Sequence, residues 1–576
     1  MKRFIYHNIF GTLLAGLFLF SCEKQLEPQV SNVYTQDVVL KTVNIAEGIL
    51  IKAYMGLPIN HSNFNLDYAS DDAVTNNQNS GIKNANEGGW TSSANPFGVW
   101  NDAYENIFYI NSFFQEMDKV VWWWKDDYVN SVFAQRLRGE GFALRAHYYF
   151  SLLQAHAGKG TNGQMLGVPI VDRVLDPGNP DNYEIPRSTF NELVAFIIAD
   201  CDSAIALLPD RYVQTSDIYF NIGGGEDYTN RVNGMAARLI KAKTLLYAAS
   251  PSYSDGTYTY QMAAEACVEI MDRNEGLDNI ILENFNHLQF YSSGNVTNNK
   301  NKHPEVFWYS SVRSLNSWEG NNYPPSWYGL GRTNPTQELV NSFPMATGIP
   351  VRDIKINSAD PFSKRDPRLA LYILYNGQTV NTNGVDTLTL DVTEGSQDAL
   401  GSPDPNATLT GYFLKKFMNL GVDLTPGVNS GGPHYYVYAR YTDALLMFAE
   451  AANEAVGPDE QIGGYTARGV INAIRSRGGI TANFWVNVQE QEGLAELIKN
   501  ERRIEMCFEN QRFWDLRRWG MTDVMAQPVT GITISADDGM PTYVMVENRN
   551  YQPHQIYGPI PYGETLKYDL IQNEGW

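Results

Sequence analysis

The chain is poor in cysteine, poor in positive charge and almost without long apolar runs. Its 576 residues include four cysteines, Cys22, Cys201, Cys267 and Cys507, and no CxxC pair, which excludes a disulfide-dense scaffold and a cysteine-built zinc site. Cys201 shares a helical stripe with Leu193, Ile197, Ala204 and Leu208, and Cys267 shares one with Ala263, Ala266 and Ile270; both read as small buried apolar residues. Lys and Arg number 43 against 64 Asp and Glu, a net charge of −21. Residues 1–22 hold Lys2 and Arg3 and no acid, so the chain without them carries −23. This balance argues against nucleic acid and against strongly anionic polymers as general partners, unless a local basic patch overrides it.

Motifs for catalysis are also missing. The eight histidines are scattered, with no HExxH and no cluster at metal-ligand spacing, and there is no GxSxG. Gly158-Lys159-Gly160-Thr161-Asn162-Gly163 satisfies GxGxxG, but it follows a helical pattern and precedes Gly-Val-Pro. That is the reverse of the strand–turn–helix order that seats a phosphate. A glycosidase needs two carboxylates at a fixed separation, and nothing singles out such a pair among the acids. The reading is a non-catalytic chain with no metal or cofactor.

The main apolar run, Ile9 to Phe20, is too short to span a bilayer as a helix and follows the basic Lys2-Arg3. It reads as the core of a signal peptide over residues 1–21. Leu19-Phe20-Ser21-Cys22 resembles a lipoprotein cleavage box with Cys22 as the acylated first residue, and acyl chains hold a protein on a membrane. Residues 22–36 then form a lipidated tether.

Helical periodicity marks 37–55, 100–119, 131–157, 188–208, 231–250, 258–272, 436–456, 466–476 and 491–510. The pairs 100–119 with 131–157, 188–208 with 231–250, and 436–456 with 466–476 read as hairpins of tetratricopeptide (TPR) type without a strict 34-residue consensus. Residues 209–230 and 375–435 are rich in Gly, Asn, Thr, Asp and Pro, which predicts long loops with small hairpins such as one at Thr387-Leu388-Thr389-Leu390. The fold class is therefore mainly α, a TPR-like scaffold with a loop-rich second lobe. The division is 37–250 for the N-terminal region and 251–576 for a C-terminal region that adds helices to the scaffold.

The segment Asn500–Gly520, NERRIEMCFENQRFWDLRRWG, places Leu494, Leu497, Ile498, Ile504 and Phe508 on one helical face, with Glu501 and Glu505 on or beside it. Buried carboxylates need partners, and Arg502, Arg503, Arg512, Arg517 and Arg518 are the expected ones. This segment resembles the signature helix of the SusD/RagB family of surface lipoproteins. Val168-Pro169-Ile170, Asn334–Glu338, Arg365-Asp366-Pro367-Arg368, Ile471–Ile480 and Gln572–Trp576 extend the resemblance along the chain. The resemblance implies an outer-membrane, cell-surface, lipid-anchored protein that passes an oligosaccharide to a SusC-like TonB-dependent transporter. It also implies ligand contacts from loops. Alternatives with other chemistry are a peptide-binding protein of the same fold, a surface glycoside hydrolase and a structural adaptor.

Aromatic residues are plentiful, with 12 Trp, 34 Tyr and 26 Phe, many outside helical stripes. Aromatic faces attract the weakly positive C–H faces of sugar rings. Two loop regions combine rings with polar side chains and are the candidate ligand-binding segments. The first, Tyr68–Asn101, offers Asp71, Asp72, Trp90, Trp100 and Asn101; the second, Val312–Gly331, offers Arg313, Asn316, Trp318, Tyr323, Trp327 and Tyr328. Packing competes for several: Trp100 is in phase with Tyr104 and Ile107, and Asp71 and Asp72 suit a turn. Trp318 and Trp327 lack an apolar period, so their replacement is expected to abolish glycan retention without lowering the melting temperature. Trp122-Trp123-Trp124 cannot share one buried side, so at least one ring is expected to be exposed.

Overall fold

Nine long helices carry the architecture in the computed structural model, which describes residues 43–59, 65–176, 178–280, 303–353, 360–382 and 386–576. They are α1 (Val43–Met55), α2 (Trp100–Glu116), α3 (Asp127–His156), α4 (Phe190–Leu207), α5 (Gly234–Ala249), α6 (Tyr260–Arg273), α7 (Tyr441–Val456), α8 (Ala467–Arg477) and α9 (Gln491–Met506). A shorter helix, α10 (Arg512–Arg518), follows. Local signals set the ends. Asp126 caps α3 through Val129 N, Thr189 and Glu192 form a reciprocal capping box on α4, and α5 stops before Ser250-Pro251. Each helix from α1 to α7 packs on the next, so α6, from beyond residue 250, continues the array and α7 links it to α8 and α9. The alanine-rich face of α7, Ala444, Ala449 and Ala452, is fully buried, as close helix approach requires.

Strands are short and occur as two-stranded pairs among the described residues. Those of three residues or more are β1 (Ala73–Thr75), β2 (Val306–Tyr309), β3 (Arg313–Leu315), β4 (Thr333–Pro335), β5 (Thr379–Thr382), β6 (Asp386–Thr389), β7 (Gly432–His434), β8 (Val437–Arg440), β9 (Val529–Ile534) and β10 (Pro541–Glu547). β5–β6 is the hairpin predicted near Thr387. The pair that matters for function is antiparallel β1–β4, with Ala73 opposite Pro335 and Thr75 opposite Thr333. Gly158–Lys159 forms a small hairpin with Met165–Leu166 and opens no helix.

Among the described residues, three boundaries differ from the periodic pattern by four residues or more, one being the start of α3 at Asp127 rather than at 131, where Asp126 caps it. Residues 437–440 are strand β8 rather than the start of α7, because Arg440 is held extended while its guanidinium pairs with Glu305 at 2.8 Å and Glu509 at 2.8 Å. The signature helix α9 ends at Met506, because Phe508 and Asn510 adopt left-handed backbone at φ 62° and 60°. Phe508 N then donates to Asp67 Oδ1 at 3.2 Å, and Asn510 Oδ1 accepts from Leu66 N at 2.7 Å. The helix end thereby anchors the segment leading to β1.

The carboxylates of α9 are buried and paired, but their partners come from elsewhere than the neighbouring arginines. Glu501 meets Arg368 and, at 3.4 Å, Arg475; Glu505 meets Arg368 at 2.7 Å and Arg477 at 2.9 Å. Burial alone would raise the Glu505 carboxyl, yet Arg477 and Arg368 outweigh it and hold its pKa at about 2. The arginines of the segment reach outward: Arg502 to Asp443 and Asp515, Arg518 to Glu450 and Asp515, and Arg503 and Arg512 to Asp71. Arg517 donates to Ile556 O at 2.8 Å and lies over the rings of Phe513 and Trp514.

Cys201, Cys267 and Cys507 are buried free thiols. Trp122 is buried, Trp123 stacks on Phe133 at 5.7 Å, and Trp124 is 82% exposed, so the three rings do diverge. Cys22, the signal segment 1–21 and the tether 22–36 lie outside the described residues. No described helix is long and apolar enough to cross a membrane.

Candidate functional site

The β1–β4 pair joins the two candidate loop regions. Asn65 Nδ2 donates to Thr333 Oγ1 at 3.2 Å and Tyr68 Oη lies 2.8 Å from the same oxygen, fastening the first region to the second across more than 260 residues of sequence. Between them lies a cleft of about 370 Å³, within the usual range for small-molecule sites. Tyr68, Asn77, Ser80, Gly81 and Pro96 line it from the first region, and Trp318, Asn321 and Asn322 from the second, with Arg332 and Thr333 beside β4. This lining combines apolar faces with hydroxyl, amide and guanidinium groups, the mixture that a polyhydroxylated ring requires.

Internal hydrogen bonds fix the walls. Asn76 Nδ2 donates to Leu330 O and Gly331 O, both at 3.0 Å, and its Oδ1 accepts from Arg332 Nη1 at 2.9 Å. Asn322 Nδ2 donates to Trp318 O at 2.9 Å, while its buried Oδ1 meets no donor among the described residues. Among the described residues, no carboxylate lines the cleft.

The predicted site residues fall into three groups. Trp318 lines the cleft but is 5% exposed, seated in the core of the second lobe with its Nε1 donating to Lys416 O at 3.4 Å. Tyr323, Trp327 and Tyr328 line a separate recess of about 250 Å³ with Leu388 and Asp423. There Tyr323 and Trp327 are buried edge to face at 5.7 Å, and Tyr328, at 58% exposure and φ 65°, offers an open ring. Arg313 is exposed on β3, and Asn316 Nδ2 donates to Asn429 Oδ1 at 2.9 Å.

The remaining residues do not reach the cleft. Trp90 is buried against Phe97, Phe513 and Trp576, and Trp100 packs in the main core beside Tyr104 and His156. Asn101 is exposed on α2. Asp71 is bound by Arg503 at 2.9 Å and Arg512 at 2.9 Å, and Asp72 by Arg503 at 2.6 Å. Burial would raise the Asp71 carboxyl, but the two guanidinium groups hold it well below the usual carboxylate range. These aspartates brace β1 from behind. The two loop regions meet at the cleft, but Trp318 alone of the predicted residues lines it, and the burial of Trp318 and Trp327 means that truncating either would lower stability, against the expectation of an unchanged melting temperature.

Asn65, Asn77, Ser80, Asn321 and Arg332 are cleft residues that sequence reasoning missed. Their one signal was position inside or just outside the two loop regions. A larger cavity of about 640 Å³ lies beside α9, but its Arg475, Arg503 and Arg512 are already paired with Glu501, Asp71 and Asp72.

Comparison with known proteins agrees with this arrangement. A profile of the SusD family matches residues 289–576, and a second, described as starch-binding associating with outer membrane, matches residues 26–221. SusD-like protein P25 of Formosa agariphila is 30% identical over 153 residues, 26% of this chain and 25% of that protein. Among solved structures, a SusD-like protein from Bacteroides fragilis aligns with a TM-score of 0.74 at 23% identity, covering 94% of this chain and 98% of that one. A laminarin-binding SusD-like protein aligns with a TM-score of 0.58 at 19% identity, covering 93% and 100%. The structural likeness establishes the fold, and the profile, spanning half of the sequence and including the paired carboxylates of α9, establishes the lineage: the chain belongs to the SusD family.

Proposed function

We propose that this chain is a cell-surface glycan-binding lipoprotein, anchored in the outer membrane through Cys22, that captures oligosaccharide and delivers it to a SusC-like TonB-dependent transporter. One observation carries the binding reading: two loop regions remote in sequence meet at a cleft of hydroxyl, amide and guanidinium groups walled by Trp318 and Tyr68. The family description of starch binding and outer-membrane association, and the laminarin-binding structural relative, support the same ligand class and location.

Binding without hydrolysis fits the cleft, because glycoside cleavage uses two carboxylates flanking the scissile bond and none lines it. Capture then rests on ring contacts and hydrogen bonds. A relay favours micromolar or weaker affinity, since each ~1.4 kcal/mol is a factor of ten and the ligand must leave again. Native affinity gels with polysaccharides, run beside a reducing-end assay, test the reading. Retardation without new reducing ends is expected. Release of reducing ends by the pure protein, or failure of every saccharide to bind, would refute it.

A further inference from the structure

The cleft is electrostatically unlike the chain that builds it. The protein carries 64 acids, yet the cleft is lined by no carboxylate and by one guanidinium, that of Arg332. Arg332 uses a single side-chain N–H, to Asn76 Oδ1 at 2.9 Å, and has no carboxylate partner among the described residues. Its other donors are open to a ligand, and a guanidinium presents five in a planar fork that matches carboxylate and sulfate oxygens.

The carboxyl groups on the elements that form the walls are each accounted for elsewhere. Asp71 and Asp72 are held by Arg503 and Arg512, Glu87 lies 3.4 Å from Lys83, and Glu319 accepts from His434 at 3.0 Å and Asn419 N at 2.7 Å. Asp67 is raised by burial, and by the neighbouring Asp72, to about 8, so it is largely protonated at neutral pH. The walls therefore present one uncompensated positive charge to a ligand, inside a protein whose overall field is negative. A net charge of −21 would repel anionic polymers from most of the surface, which makes a pocket of this kind a selective exception.

We propose that the saccharide accepted by this cleft bears an anionic substituent, a uronate carboxylate or a sulfate ester, bound by Arg332. The inference rests on the glycan-binding reading above and specifies its substrate class. The neutral amides around Arg332, Asn77 and Asn321, serve the ring hydroxyls.

The test is an array of uronate-bearing and sulfated oligosaccharides, each beside its carboxyl-reduced or desulfated neutral counterpart, probed with the full chain. At least one anionic class is expected to bind ten times more tightly than its counterpart, with the difference shrinking at high salt, and the two arms identify the anion. Arg332→Gln should erase the preference and Arg332→Lys should keep part of it. Asn77→Asp, at an exposed position where the new carboxylate still accepts from Asn79 N, should weaken the anionic ligands more than the neutral ones. Neutral counterparts binding as well as the charged ones, or a preference that survives both Arg332→Gln and Asn77→Asp, would overturn this inference and leave glycan binding standing. Silence across the whole array would overturn both.

Discussion

The frame around α9 and the cleft beside β4 use arginine in opposite ways. In the frame, Arg368 contacts Asp366, Glu501 and Glu505, and Arg518 contacts Glu450 and Asp515, all of them buried. These two guanidinium groups are neutralised within the protein, so they fix helices and have little left for a ligand. In the cleft, Arg332 has one amide partner and no carboxylate. The two regions are separated by whether the arginine donors are already spent, and charge density alone does not separate them.

The sharpest way to break that comparison is to disturb the frame. Glu505→Gln leaves Arg368 and Arg477 partly unpaired in a buried setting, and such a loss costs about 3–5 kcal/mol. Chemical denaturation should show it, with saccharide affinity of the folded fraction unchanged. Trp318→Ala belongs to both regions. It should lower stability by about 3–5 kcal/mol and also weaken glycan retention, whereas a ring lying free on the surface would affect retention alone.

Acidity separates two carboxyl groups of opposite sign. Glu505 is depressed to about 2 in the fold, so its contribution is complete above its ordinary unfolded value and is lost as pH falls through that value towards 2. The stability gap between wild type and Glu505→Gln should therefore narrow in acid. Asp67 is raised to about 8, so it lowers stability progressively as pH rises from the ordinary carboxylate range to that value. Asp67→Asn should flatten that slope. Parallel denaturation series from pH 3 to 9 would check both, and equal slopes would contradict the assignment. The smallest effect is expected at Tyr328→Ala, within about 0.5 kcal/mol of wild-type stability because the ring is exposed, with any change confined to glycan affinity.

Local pattern made the scaffold legible. The stripes of α2 to α9 follow three- and four-residue spacing, and Pro251 marks the end of α5. Non-local pairing hid most of the site. Asp71 and Asp72 read as ligand contacts, with a turn as the competing role, because Arg512 and Arg503 stand more than 430 residues away. Trp318 looked exposed because its cover, around Lys416 and Phe417, comes from a loop about a hundred residues downstream. Arg332 carried no motif; its role follows from the β1–β4 register, which sequence alone does not disclose.

Gly81 offers the most direct measurement. It is exposed on the cleft rim, its backbone is not left-handed, and a Cβ there would meet only Pro96 Cβ at 3.4 Å. Gly81→Trp would fill the opening from the rim while leaving the frame intact. Calorimetric titration with the saccharide best retained by wild type should then show binding lost with an unchanged melting temperature; undiminished binding by a folded Gly81→Trp protein would mean that the ligand lies elsewhere.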